Sequence, residues 1–141
     1  MVKLNPYLIF KGNTEEAFNF YKSVFGGEFE MLSRFKDTPE GNKVEEKEKD
    51  KIMHVSLPLG NGYTLMASDM LDNMGPYQQG NNFNVALETQ SEEETKKLFD
   101  GLAHGGNVLM PLTNTFWGAY FGMVTDKFGI KWMVSYTKPQ S

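Results

Sequence analysis

The chain has 141 residues, 40% hydrophobic and 13% aromatic, which is enough for one well-filled core and too short for two large domains. Its formal net charge is −4 and its pI about 5.2, so no basic surface favours nucleic acid or anionic lipid as a partner. The absence of cysteine excludes disulfides, thiolate nucleophiles and cysteine-based metal sites. With no leader-like N-terminus and no long apolar run, we expect a cytoplasmic protein without a membrane partner.

The first elements along the chain are a predicted strand and a predicted helix. Residues 4–10, LNPYLIF, are short and apolar, as expected for a buried strand. Asn13 and Glu16 have the spacing of a helix N-cap and its third residue, so we predict a helix from Thr14 to Phe25. Its apolar stripe consists of Ala17, Phe20, Tyr21 and Val24.

The same pattern returns in the second half of the chain. Residues 82–88, NFNVALE, predict a strand, and Ser91 with Glu94 predicts a second helix cap. Both predicted helices end at a Gly-Gly pair. Setting Asn13 against Ser91 gives an internal repeat of about 78 residues.

Three further strands are predicted after each helix. In the first copy they are residues 28–35, 52–59 and 63–69, and in the second 107–112, 116–126 and 130–136. The sequence therefore predicts an α+β protein made of two β-α-β-β-β modules, at about 1–72 and 80–141 of a single domain 1–141. The polar, charge-rich segment 36–50 is predicted to be a solvated, mobile loop, with a lid as the alternative.

Four stretches carry a resemblance to a known family. They are PYLIFKGNTEEAFNFYKSVFGG, MHVSL, LMASD and TFWGAYFGMVTDKFGIKWMVS, and they are distributed along the chain between residues 6 and 135. The duplicated module with these stretches resembles the vicinal oxygen chelate superfamily, which includes glyoxalase I, bleomycin-resistance proteins and extradiol dioxygenases, and within it the PhnB-like branch. This resemblance implies curved half-barrel sheets with helices on the outer face, a small-molecule site on the concave face and a homodimer.

The resemblance also bears on metal binding. Metal-dependent members of the superfamily place His or Glu on the first and last strands of each copy. The matching positions here are Pro6 or Tyr7, Met66 or Ser68, Asn84, and Met133. Since none supplies an imidazole or a carboxylate, we expect no divalent metal and no other cofactor.

His54 is the candidate catalytic residue. In the strand IMHVSL, alternation directs Met53, Val55 and Leu57 toward the helix, and His54 with Ser56 toward the concave face. A structural histidine is an equally good interpretation of His54. The second histidine, His104, ends the second helix and suits its dipole.

A ligand site is predicted from the same alternation. Aligning MHVSL with AYFGM matches His54 with Tyr120 and places Phe116, Gly118 and Tyr120 on the concave face. Trp117 would face the helices unless a bulge turns it inward. The predicted ligand-binding residues are His54, Ser56, Met66, Ser68, Asn84, Phe116, Trp117, Tyr120 and Met133.

Three functions remain open from the sequence. The first is binding of a small organic ligand without a metal. The second is a lyase or isomerase of the glyoxalase or dioxygenase type that depends on a metal or on His54. The third is a dimeric scaffold with a vestigial pocket. Asp69 and Glu88 end their strands, where solvation or a turn hydrogen bond is the expected role, and no G-x-S-x-G motif supports a hydrolase.

Overall fold

The chain folds into two α+β units with the same β-α-β-β-β order. The computed structural model describes residues 1–39 and 41–139. The units comprise Met1–Gln78 and Gln79–Ser141. In each unit a four-stranded mixed sheet packs against one long helix. The predicted α+β fold with two repeated modules is confirmed.

The first unit forms a sheet with the strand order β1-β4-β3-β2. Strands β1 and β4 are parallel, and the other neighbours are antiparallel. Its elements are β1 (Tyr7–Phe10), α1 (Thr14–Phe25), β2 (Met31–Arg34), β3 (Ile52–Gly60) and β4 (Tyr63–Asp69).

The second unit repeats this topology with the strand order β5-β8-β7-β6. Its first and last strands are again parallel. Its elements are β5 (Val85–Glu88), α2 (Glu92–Ala103), β6 (Asn107–Asn114), β7 (Ala119–Thr125) and β8 (Lys131–Thr137).

One face of each sheet packs against the helix of its unit. In the first sheet, Leu8, Ala67 and Val55 lie in one cross-strand row, and all three are buried with Ala17 and Tyr21 of helix α1. Because side chains alternate along a strand, the residues between them point the other way. We call the sheet face opposite the helix the open face.

Both helices start after the predicted N-cap residues, but only one of the two caps makes the expected side-chain bond. The Ser91 hydroxyl accepts a hydrogen bond from the backbone N–H of Glu94 at 3.0 Å, which confirms the second cap. The Asn13 side chain makes no such bond. The N–H of Thr14 instead donates to the carboxylate of Asp69 from strand β4 at 3.1 Å. A residue distant in sequence therefore caps helix α1, which local spacing does not reveal.

Segment 36–50 is more structured than the solvated loop that its polarity predicts. Single 3-10 turns form at Gly41–Lys43 and Glu46–Glu48, and Glu48 is buried. The Glu48 carboxylate accepts a hydrogen bond from the N–H of Asp72 at 3.0 Å. Glu40 lies outside the described residues. Backbone hydrogen bonds also hold the segment at both ends, from Thr38 to Phe35 after strand β2 and from Lys51 before strand β3 to Glu48.

The predicted strand 116–126 is shortened at its start, since strand β7 begins at Ala119. Phe116, Trp117 and Gly118 form the turn between β6 and β7, and Gly118 has a φ of 89°. The Thr115 hydroxyl closes this turn by accepting the N–H of Ala119 at 3.0 Å. Within residues 1–39 and 41–139, neither helix has the length and apolar content of a membrane span.

Candidate functional site

Polar side chains gather on the open face of the first sheet. One cross-strand row contains Tyr7, Met66, Ser56 and Met31. The next row along strands β3 and β2 pairs His54 with Ser33. On strand β4, Ser68 alternates with Ala67 and therefore shares the open face with Met66. The structure thus brings together the predicted site residues His54, Ser56, Met66 and Ser68.

His54 forms a polar pair with Tyr7. The Tyr7 hydroxyl lies 3.1 Å from Nδ1 of His54, and the two rings have centroids 5.7 Å apart. Because strand β4 lies between β1 and β3, the Tyr7 side chain reaches across β4 to make this bond. A neutral imidazole has one donor and one acceptor nitrogen, so Nδ1 accepts from the phenol or donates to it according to the tautomer. Tyr7 is 46% exposed, which leaves the pair open to a ligand.

Ser33 adds an unsatisfied polar atom beside His54. Among the described residues, its buried hydroxyl oxygen has no hydrogen-bond partner. A buried hydroxyl without a partner costs free energy, so a ligand that reached it after a small movement of the surrounding side chains would recover this cost. Ser56, two residues from His54 on the same face, is also buried. The hydroxyls and the imidazole together offer both hydrogen-bond donors and acceptors.

The charged side chain at the end of strand β2 points toward helix α1. Arg34 of strand β2 donates two hydrogen bonds to Glu15 of helix α1, at 3.0 and 2.7 Å. This bidentate bond lowers the pKa of Glu15. Arg34 therefore serves the contact with helix α1.

The open face of the second sheet is apolar. Phe121 and Met123 lie on it, since the intervening Gly122 faces the helix, where an added Cβ would lie 2.6 Å from the Phe99 ring. Met133 pairs with Met123 in the adjacent strand. The Trp117 ring packs edge-on against Phe121, with centroids 6.1 Å apart. Trp117 therefore reaches the open face from the turn, without a bulge in strand β7.

The predicted positions of Tyr120 and Phe116 are wrong. Tyr120 and Gly122 are two residues apart on strand β7, so both face the same side of the sheet. Since Gly122 faces helix α2, Tyr120 lies on the helix side as well. Val55 pairs with Ala67 in the first sheet, and Gly122 pairs with Val134 at the matching place in the second. The preceding residues, His54 and Phe121, therefore correspond to each other. The sequence alignment of His54 with Tyr120 is displaced by one residue. Phe116 is 97% exposed in the turn.

The residues at the expected metal positions do not fit a divalent ion. Met66 and Met133 are matching positions on the last strands of the two units. Met66 pairs with Tyr7, and Met133 pairs with Ala86. The residue that matches Tyr7 in the second unit is therefore Ala86 and not Asn84. Phenol, thioether and methyl groups are unsuitable ligands for ions that favour imidazole and carboxylate. Within the part of the chain that the structure describes, no three His, Asp or Glu side chains converge.

The remaining titratable candidates have structural contacts. Asp69 is buried and binds the start of helix α1. Glu88 accepts a hydrogen bond from the N–H of Thr137 at 3.0 Å. His104 is the exposed C-terminal cap residue of helix α2. None of the three is paired with Tyr7 or His54 across neighbouring strands.

Sequence reasoning missed three open-face residues. It treated Tyr7 only as a metal position, and it did not select Ser33 or Met123. The alternation of strand β2 could have placed Ser33 opposite His54 had the register been known. The one-residue error in aligning strand β7 hid Met123.

Comparison with known proteins identifies the family. Residues 3–134 match the sequence profile of the Glyoxalase/Bleomycin resistance protein/Dioxygenase superfamily. Protein YjdN of Escherichia coli K12 is 33% identical over 145 residues, with 97% of each chain covered.

Solved structures show the same fold. The crystal structure of protein PA1353 from Pseudomonas aeruginosa matches with a TM-score of 0.87 and 42% identity, covering 99% of this chain and 100% of that one. The PhnB protein from Bacillus cereus matches with a TM-score of 0.75 and 28% identity, covering 96% and 99%. These relatives support the resemblance to PhnB-like proteins.

Proposed function

Because this chain belongs to the Glyoxalase/Bleomycin resistance protein/Dioxygenase superfamily, we propose that it binds a small organic molecule on the open face of its first sheet. The supporting observation is the bond between Tyr7 and His54 beside the unpartnered hydroxyl of Ser33. The ligand carries an uncharged polar group, such as a carbonyl or a hydroxyl, that bonds to these side chains. Binding proceeds without the divalent metal used by other members, since the matching side chains do not suit one.

The open face of the second sheet, taken by itself, is apolar. Trp117 and Met133 on this face, both among the predicted ligand-binding residues, suit contact with an apolar or aromatic molecule. The assignments of Asn84, Phe116 and Tyr120 to binding stay predictions from the sequence. We also propose that the protein acts in the cytoplasm as a homodimer, as the family resemblance implies.

A second function is favoured by the same pair of residues. A histidine bonded to a tyrosine can move a proton at a ligand carbon or oxygen, which is the chemistry of a histidine-dependent lyase or isomerase. In that case Nε2 of His54 meets the ligand while the Tyr7 hydroxyl holds Nδ1. Conversion of the bound molecule by wild-type protein, abolished in His54→Gln, would distinguish this enzyme from a binding protein.

The proposal is tested by identifying small molecules that copurify with the native protein. Untargeted mass spectrometry of protein purified without chelator should find one compound enriched near one per chain. In the Ser33→Ala variant its recovery should fall, while the melting temperature stays unchanged or rises because the lost hydroxyl had no partner. Ser23→Ala, on helix α1, is the matched control and should keep the compound.

Two outcomes of these preparations would overturn the proposal. One is equal recovery of the compound in Ser33→Ala and wild type. The other is elemental analysis that finds about one Zn, Ni, Fe or Mn ion per chain, removable by chelator with loss of thermal stability. We expect no stoichiometric divalent ion.

A further inference from the structure

Three methionines form a continuous row across the second sheet. Met110 of strand β6 pairs with Met123 of β7, and Met123 pairs with Met133 of β8. The row ends at Ala86 of strand β5, whose small, exposed side chain leaves that end of the row open. Side chains directly opposite each other in a sheet share a face, so the three thioethers lie side by side on the open face.

Strand β6 is irregular on both sides of Met110. Val108 pairs with Val124, Met110 with Met123 and Thr113 with Phe121, so the register shifts before and after Met110. Without the first shift, Leu109 would oppose Met123 and the row would lose a sulfur atom. Bulges of this kind re-aim a side chain and often lie next to functional sites.

From this row we propose a site for a soft monovalent metal ion, Cu(I) or its analogue Ag(I), with the sulfur atoms of Met110, Met123 and Met133 as ligands. Thioethers bind soft ions and are poor ligands for hard divalent ones. Neighbouring strands are about 4.8 Å apart, so the outer two methionines stand roughly 10 Å apart at the backbone. Three rotatable bonds in each side chain allow the sulfur atoms to converge on one ion.

The exposure of the row permits an ion to enter. Met110 is 43% exposed, and Met123 and Met133 are partly exposed. The chain contains no cysteine, so no thiolate competes for a soft ion. The overall charge of −4 favours an approaching cation.

The first sheet contains a natural control for this site. Its matching row reads Tyr7, Met66, Ser56 and Met31, so Ser56 stands between two methionines where the second sheet has Met123. A hydroxyl separates the two thioethers there. The first sheet therefore offers methionines of similar placement without three adjacent sulfur atoms.

The test is titration of the full-length protein with Ag(I), followed by native mass spectrometry, and with Cu(I) in competition with a bicinchoninate chelator. Wild type should retain one ion per chain. Met123→Leu conserves side-chain volume and should weaken binding about tenfold or more, because the central ligand is lost. Met133→Leu should do the same, whereas Met66→Leu in the first sheet should bind as wild type does.

Other results would overturn the site. These are no retained ion in wild type, unchanged affinity in both Met123→Leu and Met133→Leu, or an equal loss in Met66→Leu. Circular dichroism of each variant confirms that it is folded before its affinity is compared. Met133 is common to this site and to the predicted ligand-binding residues, but the test is independent of the proposed ligand-binding function because its readout is the metal ion alone.

Discussion

The carboxylate of Asp69 accepts hydrogen bonds from both the backbone N–H and the side-chain hydroxyl of Thr14, at 3.1 and 2.7 Å. It also accepts the backbone N–H groups of Gly12 at 2.9 Å and Ile52 at 2.8 Å. Four donors at the starts of helix α1 and strand β3 therefore converge on one buried side chain at the end of strand β4. Asp69 stabilises the fold of the first unit.

Asp69→Ala should lower the free energy of unfolding by about 3 kcal/mol, because it leaves buried donors without an acceptor. Chemical denaturation followed by circular dichroism measures this change. Asp100→Ala on helix α2 is the control, since Asp100 forms a solvent-exposed ion pair with Lys96 at 3.0 Å. This variant should change the free energy of unfolding by less than about 0.5 kcal/mol. Equal effects of the two variants would contradict the role given to Asp69.

The secondary-structure elements were predicted from the sequence more accurately than the tertiary contacts between them. Helix α1 runs from Thr14 to Phe25 as predicted, because its apolar spacing and terminal glycines are local signals. The capping of that helix by Asp69 was missed, because 55 residues separate Thr14 from Asp69. The spacing at Asn13 located the N-cap residue correctly, but it could not show that the side-chain acceptor is Asp69.

The candidate site was predicted well in the first sheet and less well in the second. Strand β3 alternates regularly from His54 to Leu57, and the register shift with strand β2 lies on the other side of His54, so the prediction placed His54 and Ser56 on the correct face. In the second sheet the prediction aligned His54 with Tyr120 and carried the inward orientation from Tyr120 to Phe116, but the turn at Phe116 and Trp117 does not continue strand β7. A displacement of one residue exchanges the two faces of a strand, which put Tyr120 in the place of Phe121.

Acid should weaken a contact between segment 36–50 and the residues after strand β4. Lys11 at 3.0 Å and Lys47 at 3.1 Å hold the pKa of Asp72 down, at about 2 instead of 3.8. Because the folded pKa is the lower one, the stabilisation is complete above about pH 4 and disappears as the pH falls toward 2.

An NMR titration of the Asp72 carboxyl group should give a midpoint near 2 in wild type, and Lys11→Met should raise it. Lys97→Met on helix α2 should leave it unchanged. A wild-type midpoint close to 3.8, the ordinary value, would show that the two lysines do not contact Asp72 in solution.

Limited proteolysis should cut first between Lys36 and Lys51, where lysines are frequent. The buried Glu48 holds this segment through the N–H of Asp72, so Glu48→Ala should be cut several times faster than wild type. Glu46→Ala, an exposed neighbour in the same 3-10 turn, is the control. First cleavage elsewhere in wild type, or equal rates in both variants, would count against this prediction.

Light scattering should give a particle of twice the chain mass of 16.0 kDa, because we expect a homodimer. Strand β6 is an edge of the second sheet, and Val108 and Leu109 on it are exposed, which favours pairing with another chain. Leu109→Lys should weaken the dimer, whereas Leu59→Lys on strand β3 of the other sheet should not affect assembly through the edge of strand β6. A monomer that persists at high protein concentration would contradict the prediction.

The central claim is that His54 binds a ligand on the open face of the first sheet. The most direct test is the affinity of the copurified compound for His54→Gln relative to wild type, with His104→Gln as the control and melting temperatures measured in parallel. We predict affinity weakened about tenfold, or 1.4 kcal/mol, in His54→Gln alone, with its melting temperature retained. Unchanged affinity together with a clear drop in melting temperature would contradict the account and make His54 a structural residue.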